Sequence, residues 1–195
     1  MTLSAILIAG GFSRRMGVDK ATLLVAGKPL WQRQLEVLSG MRPAALWVSA
    51  RGALPWCPPG IEIVVDRAPS RGPLSGVAAA LCRLRTSHLL VLAVDLPQMT
   101  TEHLRKLWSL SQPGTGVIPL NGGYFEPLCA VYPVEAAAIA EAALNSMDLS
   151  LQSFAQTLRS RARTHVYDLT PEEQPFYLNM NTPSDLLSKR GAGSR

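Results

Sequence analysis

Ala5-Ile6-Leu7-Ile8-Ala9 is a continuous apolar run closed by Gly10-Gly11, the pattern of a strand buried on both faces that enters a tight loop. The rest of the chain repeats this grammar. Pro29 to Ser39 carries Leu30, Trp31, Leu35 and Leu38 at helical spacing, with Gly40 as its stop. Ala45–Ser49 and Ile61–Val65 read as strands, the second ending in Asp66, and a helix bearing Leu74, Val77, Leu81 and Leu84 follows Gly72-Pro73. His88–Val94 is apolar after its first residue and stops at Asp95-Leu96-Pro97, which sets a carboxylate at a strand's C-terminal end. Thr100 or Thr101 can cap a helix through Leu104, Leu107 and Leu110.

Thr115–Pro119 reads as a strand, Asn121-Gly122-Gly123 as a hairpin turn, and Tyr124–Tyr132, interrupted by Pro127, as its irregular or edge partner. An Ala-rich helix is expected over Pro133–Leu144, a second one capped by Ser150, and a last strand over Arg163–Tyr167. Thr182-Pro183-Ser184-Asp185 has the form of a helix start. Strands alternating with helices predict an α/β fold with a mostly parallel central sheet, whose ligands bind at the strands' C-terminal ends. Residues 1–190 form the expected single domain, with 191–195 as a frayed tail.

Composition narrows the function. The 195 residues are 47% hydrophobic and 17% charged, with a net charge of +5 and a mean hydropathy of +0.13. A chain of this size buries a sizeable core without staples. No run of five like charges occurs, which argues against a nucleic-acid tail while leaving room for a local anion site. Cys57, Cys82 and Cys129 are too far apart for a metal or redox motif and are expected to be reduced and mostly packed. The N-terminal apolar run lacks a basic segment before it, and the longest later run has six residues, so neither a signal peptide nor a membrane span is expected. The expected compartment is the cytoplasm.

The chemistry concentrates in Gly10-Gly11-Phe12-Ser13-Arg14-Arg15-Met16-Gly17-Val18-Asp19-Lys20. Paired glycines after a strand let backbone N–H groups approach a base or phosphate, and Arg14, Arg15 and Lys20 add positive charge in the same loop. Neither G-x-G-x-x-G nor G-x-x-x-x-G-K-[S/T] is present, so this cradle is not one of the two commonest phosphate loops. His88, His103 and His165 show no dyad or zinc pattern.

The loop resembles the signature of the molybdenum cofactor guanylyltransferases, within the wider nucleotidyltransferases whose Gly-rich loop ends in Lys. Gly27-Lys28-Pro29-Leu30-Trp31-Gln32, Gly72-Pro73-Leu74-Ser75-Gly76, Val94-Asp95-Leu96-Pro97 and Asn179-Met180-Asn181-Thr182-Pro183 follow in that family's order, so the resemblance covers nearly the whole chain. It implies a Rossmann-like three-layer sandwich of the nucleotide-diphospho-sugar transferase type. It also implies transfer of GMP from GTP to molybdopterin carrying molybdenum, with release of pyrophosphate and a need for Mg2+. By the same resemblance Ile8, Ala9, Gly10, Gly11, Ser49 and Asp66 belong to the nucleotide site, with Lys20 on phosphate. Asp95 would bind both metal and nucleotide, Arg15 would join Lys20 and Asp95 in catalysis, and Asn179 and Asn181 would face the pterin.

Two departures stand out. Ser49 occupies a position where the family commonly has Asn, which bears on the base or ribose contact there. Glu126-Pro127-Leu128 replaces a His-Pro-Thr of some members, so the acceptor pocket is expected to differ. Molybdoenzyme apoproteins, chaperones or cofactor-delivery proteins are the expected protein partners, with no nucleic acid and no membrane. Cytidylyl transfer to the same pterin, nucleotide transfer to a sugar or other small phosphate, and a noncatalytic GTP-binding partner remain the alternatives. The chemistry suits the first reading: an in-line attack on an α-phosphate needs alignment and charge neutralisation above all. A phosphate monoester acceptor is already mostly dianionic at neutral pH, so no general base is required.

Overall fold

The computed structural model describes residues 1–9, 19–66 and 72–180. Its centre is a sheet in the order β10 (Thr164–Asp168), β7 (Gly116–Asn121), β9 (Cys129–Pro133), β6 (His88–Ala93), β1 (Leu3–Ile8), β4 (Leu46–Ala50) and β5 (Glu62–Val65). β1, β4, β5 and β6 are mutually parallel. β7 and β10 form a further parallel pair, whereas β9 runs against both β6 and β7. The reversal follows from the Asn121-Gly122-Gly123 hairpin, which joins β7 to the short β8 (Tyr124–Phe125) without a crossover helix.

Helices cover both faces, which is why the central strands read as unbroken apolar runs. In β1, Ala5 and Leu7 join the core under α1 (Leu30–Ser39) and α3 (Thr101–Ser109), while Ile6 and Ile8 join the core under α2 (Pro73–Arg83), α4 (Ala136–Leu144) and α5 (Leu151–Ser160). β6 divides the same way, Leu90 and Leu92 against Leu89 and Val91. The caps fall where expected: the Thr100 hydroxyl accepts from His103 N–H at 3.2 Å, and the Ser150 hydroxyl from Gln152 N–H at 3.2 Å.

Three expectations change. The helix predicted from Pro133 starts at Ala136, because Pro133 ends β9 opposite His88. Tyr124–Tyr132 is not an edge partner: it divides into β8 and the buried β9, which lies between β7 and β6. Beside the expected elements stands a two-stranded ribbon of β2 (Leu24–Val25) and β3 (Lys28–Pro29) that turns at Ala26 and Gly27, whose φ angles are 51° and 79°; two-residue strands are too short to show alternation. Of the three cysteines Cys129 is buried, Cys57 half-buried and Cys82 exposed, so packing does not account for Cys82. The Thr182 helix start and the 191–195 tail lie outside the described residues. Among those described, no helix is long and apolar enough to cross a membrane.

Candidate functional site

Four parallel strands end side by side, and the candidate residues stand at their C-terminal ends. The ladder continues one step past each strand: Val94 N–H donates to Ile8 C=O at 3.1 Å, Ala9 N–H to Ser49 C=O at 3.3 Å, and Asp66 N–H to Ala50 C=O at 3.1 Å. The row across the sheet is therefore Asp95, Ile8-Ala9, Ser49, Asp66. The chain leaves β1 toward β4 on one side while β6 returns on the other, which makes this row a topological switch point, the usual crevice of an open α/β sheet.

Asp95 stands two residues past the end of β6, and Lys20 opens a 3-10 turn, Lys20–Thr22, that comes next in the described residues after β1. Lys20 Nζ lies 3.6 Å from Asp95 Oδ2, with side chains only 23% and 25% exposed. Burial raises the Asp95 carboxyl above the usual range, and the adjacent Lys20 charge only partly offsets this. Asp95 thus holds a carboxylate in a place that disfavours its charge, ready to gain from a cation.

Lys20 is aimed by its neighbour. Asp19 Oδ1 accepts from Ala21 N–H at 3.0 Å and Oδ2 from the Trp56 indole N–H at 2.9 Å, while the Trp56 ring stacks on Trp31 at 5.4 Å. The sequence held Asp19 within the loop motif but gave no sign of Trp56, whose link spans 37 residues.

On the far side of the row, the Ser49 hydroxyl donates to Asp66 Oδ1 at 3.1 Å. Gly76, in the first turns of α2, backs this pair: a Cβ there would sit 3.1 Å from Ser49 Cβ and 3.2 Å from Asp66 Oδ1. The glycine keeps the helix close to the two side chains, and any larger residue would push them forward. Asn179 is exposed, and the next residue, Met180, donates its N–H to Asp95 C=O at 2.9 Å, which docks that segment onto the same strand end.

The structure thus brings Lys20, Asp95, Ile8, Ala9, Ser49, Asp66 and the backbone of Asn179-Met180 to one end of the sheet. Gly10, Gly11, Arg15 and Asn181 lie outside the described residues. Lys28 does not point into this row; it forms a 2.7 Å ion pair with Glu36 on α1. One acidic residue escaped the sequence reading as a single group, Glu126, whose carboxyl is raised by burial and by the nearby Asp95 charge, against a hydrogen bond from Asn121 that lowers it.

A lysine facing a desolvated carboxylate at the C-terminal ends of parallel strands stands in the crevice where open α/β sheets bind their ligands. A family model described as MobA-like NTP transferase domain matches residues 5–164, and the chain belongs to that family of nucleotidyltransferases. Its relatives narrow the class further. It is 35% identical over 186 residues to a protein of Opitutus terrae named "Probable molybdenum cofactor guanylyltransferase", with 94% of this chain and 92% of the relative covered. It is 34% identical to the molybdenum cofactor guanylyltransferase of Cereibacter sphaeroides, with 95% and 94% covered.

Among solved structures, molybdopterin-guanine dinucleotide biosynthesis protein A from Archaeoglobus fulgidus superposes with a TM-score of 0.73 at 23% identity, covering 95% of each chain. A nucleotidyl transferase from Methanothermobacter thermautotroptrophicus gives 0.74 at 15%, with 97% and 96% covered. These two likenesses establish the nucleotidyltransferase fold.

Proposed function

We propose that this enzyme transfers GMP from GTP to molybdopterin carrying molybdenum, forming the guanine dinucleotide cofactor and releasing pyrophosphate, with magnesium as the divalent ion and the cytoplasm as its compartment. The observation that carries this reading is the Lys20–Asp95 pair, 3.6 Å apart and three-quarters buried, delivered to the switch point by two distant parts of the chain. The names of the curated relatives supply the choice of base and acceptor. Three free thiols suit a reducing compartment.

Asp95 fits a magnesium ion. It is a hard oxygen donor, desolvated, with a raised pKa that a cation would correct, and magnesium is commonly held by one or two carboxylates together with substrate phosphates. When bound there, the ion supplies positive charge for the phosphate oxygens of the triphosphate. The remaining work falls to the chain. Lys20, held by Asp19 and Trp56, neutralises triphosphate charge; Ile8, Ala9, Ser49 and Asp66 flank the nucleoside; Arg15 adds charge to the leaving group; Asn179 and Asn181 hold the acceptor.

A terminal phosphate oxygen of the acceptor attacks the α-phosphorus in line. A new P–O bond forms, the bond from the α-phosphorus to the bridging oxygen breaks, and pyrophosphate leaves with that electron pair. The acceptor dianion has no proton to lose, so the site needs no base. The test is pyrophosphate release from GTP, CTP, UTP and ATP with magnesium and molybdenum-bearing molybdopterin, with Asp95→Ala as the blank. Release with GTP alone is expected. Release with CTP alone would move the enzyme to cytidylyl transfer, and release with none would remove the transferase reading.

A further inference from the structure

The β7–β8 hairpin presents side chains that packing does not explain. Its turn residues Gly122 and Gly123 have φ angles of 56° and 89°, the two positive values a tight two-residue hairpin requires. Across it Leu120 pairs with Phe125 and Asn121 with Tyr124. Phe125 is buried in the core beneath α2, α4 and α5, so Tyr124 and Glu126 point to the opposite face of the strand. The backbone there is held firmly: Phe125 N–H donates to Gln152 Oε1 at 3.0 Å, Gln152 Nε2 donates to Phe125 C=O at 2.8 Å, and Glu126 N–H donates to Pro119 C=O at 2.8 Å.

The same face adjoins Asp95. β9 runs against β6, with Cys129 opposite Leu92 and Ala93 N–H donating to Leu128 C=O at 2.7 Å. The chain entering β9 therefore passes the chain leaving β6, and Glu126 feels the Asp95 charge. Among the described residues its side-chain hydrogen bond comes from Asn121 Nδ2, at 3.1 Å to Oε1, and no cation pairs with it. Two residues earlier, the Tyr124 side chain is the most open of the aromatic residues on this edge, at 72% exposure. A half-buried carboxylate with one amide partner and a like charge nearby is destabilising in the free protein, and natural folds keep such violations where a ligand relieves them.

We propose that Tyr124 and Glu126 form the subsite that reads the ring system of the acceptor: the Tyr124 ring stacks on a flat heterocycle, and the Glu126 carboxylate accepts adjacent N–H donors from its edge. The inference rests on the reaction proposed above, whose acceptor is a pterin phosphate, and a pterin offers a ring N–H beside an exocyclic amino group. The reaction fixes the orientation. The acceptor phosphate has to meet the α-phosphate held beside Lys20 and Asp95, so it lies toward that pair while the ring lies on the hairpin. Asn121 donates to Oε1 and so turns the carboxylate, leaving Oε2 and the second lone pair of Oε1 to the two ligand donors.

The experiment measures acceptor KM, GTP KM and kcat for Glu126→Leu, Tyr124→Ala and Tyr124→Phe, beside direct titration of metal-free molybdopterin followed by its pterin fluorescence. Glu126→Leu removes a desolvated charge and Tyr124 is exposed, so both variants are expected to fold, which thermal melting checks. Expected are a rise of tenfold or more in acceptor KM for Glu126→Leu, a smaller rise for Tyr124→Ala, and recovery in Tyr124→Phe. GTP KM is expected to stay within twofold of wild type in all three. Unchanged acceptor KM and pterin binding in the first two variants would overturn the subsite, as would a loss that falls on GTP instead. Wild-type protein that binds the pterin without releasing pyrophosphate would overturn the transferase reading alone; wild-type protein that fails to bind the pterin would overturn the subsite.

Discussion

Two lysine–carboxylate pairs divide the molecule's tasks. Lys20 and Asp95 stand 3.6 Å apart at the strand ends, and Asp95 is left with a raised pKa because burial outweighs the help from Lys20. Lys106 and Glu173 stand 2.7 Å apart, and Glu173 Oε2 also accepts from Tyr167 OH at 2.8 Å and Thr170 N–H at 3.0 Å. Burial pushes the Glu173 carboxyl up as well, yet these bonds overcome it and bring the value down to about 2. A carboxylate whose bonding capacity is filled by its own chain is structural, and one left short is available to a ligand.

The second pair also serves the first. Glu173 Oε1 lies 3.5 Å from His103 Nδ1, and His103 Nε2 lies 2.7 Å from the Tyr177 hydroxyl, which reaches Cys129 Sγ at 3.7 Å. His103 and Tyr177 are buried, and burial lowers the His103 pKa, which favours the neutral ring. This buried chain of contacts pins the segment that runs on to Asn179 and to Met180, bonded to Asp95 C=O.

The sharpest way to break the contrast is Asp95→Ala. Turnover is expected to fall about a thousandfold, the scale of losing a principal electrostatic group at a transferring phosphate, while the melting temperature holds or rises. The sign follows from linkage. Asp95 has a folded pKa above its unfolded value of about 3.8, so its charge opposes folding at neutral pH and that cost fades only as pH falls through the raised value. A melting temperature several degrees lower, in protein free of nucleotide, would place Asp95 with the structural carboxylates. Lys20→Ala is expected to weaken triphosphate binding roughly 10- to 100-fold, the worth of one charge-assisted contact, as read by calorimetric titration of GTP.

How much of this was legible depended on the range of the signal. The β1 and β6 runs, the Asp95 stop and the Asn121-Gly122-Gly123 turn are local patterns, and each stands in the structure within a residue or two of its expected bounds. Local pattern singles out both Lys20 and Asp95, but their facing geometry depends on β1 and β6 being neighbours, which is a property of topology. Trp56 on Asp19 and Gly76 behind Ser49 and Asp66 carried no motif, because a hydrogen bond across 37 residues or a close backbone approach leaves no mark on nearby sequence. In the sequence Glu126 stands out only as part of a tripeptide; its exposure to the Asp95 charge arises because β9 lies between β7 and β6, a placement that an irregular or edge partner over Tyr124–Tyr132 does not contain.

Glu173→Gln tests the structural pair. Loss of a carboxylate that accepts from Tyr167, Thr170 and Lys106 is expected to cost about 2 kcal/mol of folding stability, measured by urea denaturation at neutral pH, with kcat per folded molecule little changed. The pH profile gives the same information with a sign. Glu173 is held near 2 against an unfolded value of about 4.5, so its contribution is complete above pH 4.5 and drains away as pH falls toward 2. His103 acts in the same direction: its folded pKa lies below 6.5, so the unfolded chain takes up the proton first and stability declines as pH drops through that value. The variant is expected to show a shallower loss below pH 4.5 than wild type. An identical acid profile in both proteins would mean that Glu173 is not the group holding this end of the chain.

The finest distinction concerns how Lys20 is aimed. Trp56→Phe keeps a ring to stack on Trp31 and removes only the indole N–H that Asp19 Oδ2 accepts at 2.9 Å. Asp19 retains Ala21 N–H on its other oxygen, so the 3-10 turn should persist and the protein should melt within a degree or two of wild type. What the substitution loosens is the orientation of the turn, and an exposed hydrogen bond of this kind is worth about 1 kcal/mol. The expected outcome is a severalfold rise in GTP KM with acceptor KM unchanged. A rise confined to the acceptor would put Trp56 on the wrong side of the transferring phosphate, and with it the division of the strand-end row into a nucleotide side at Lys20 and an acceptor side at the β7–β8 hairpin.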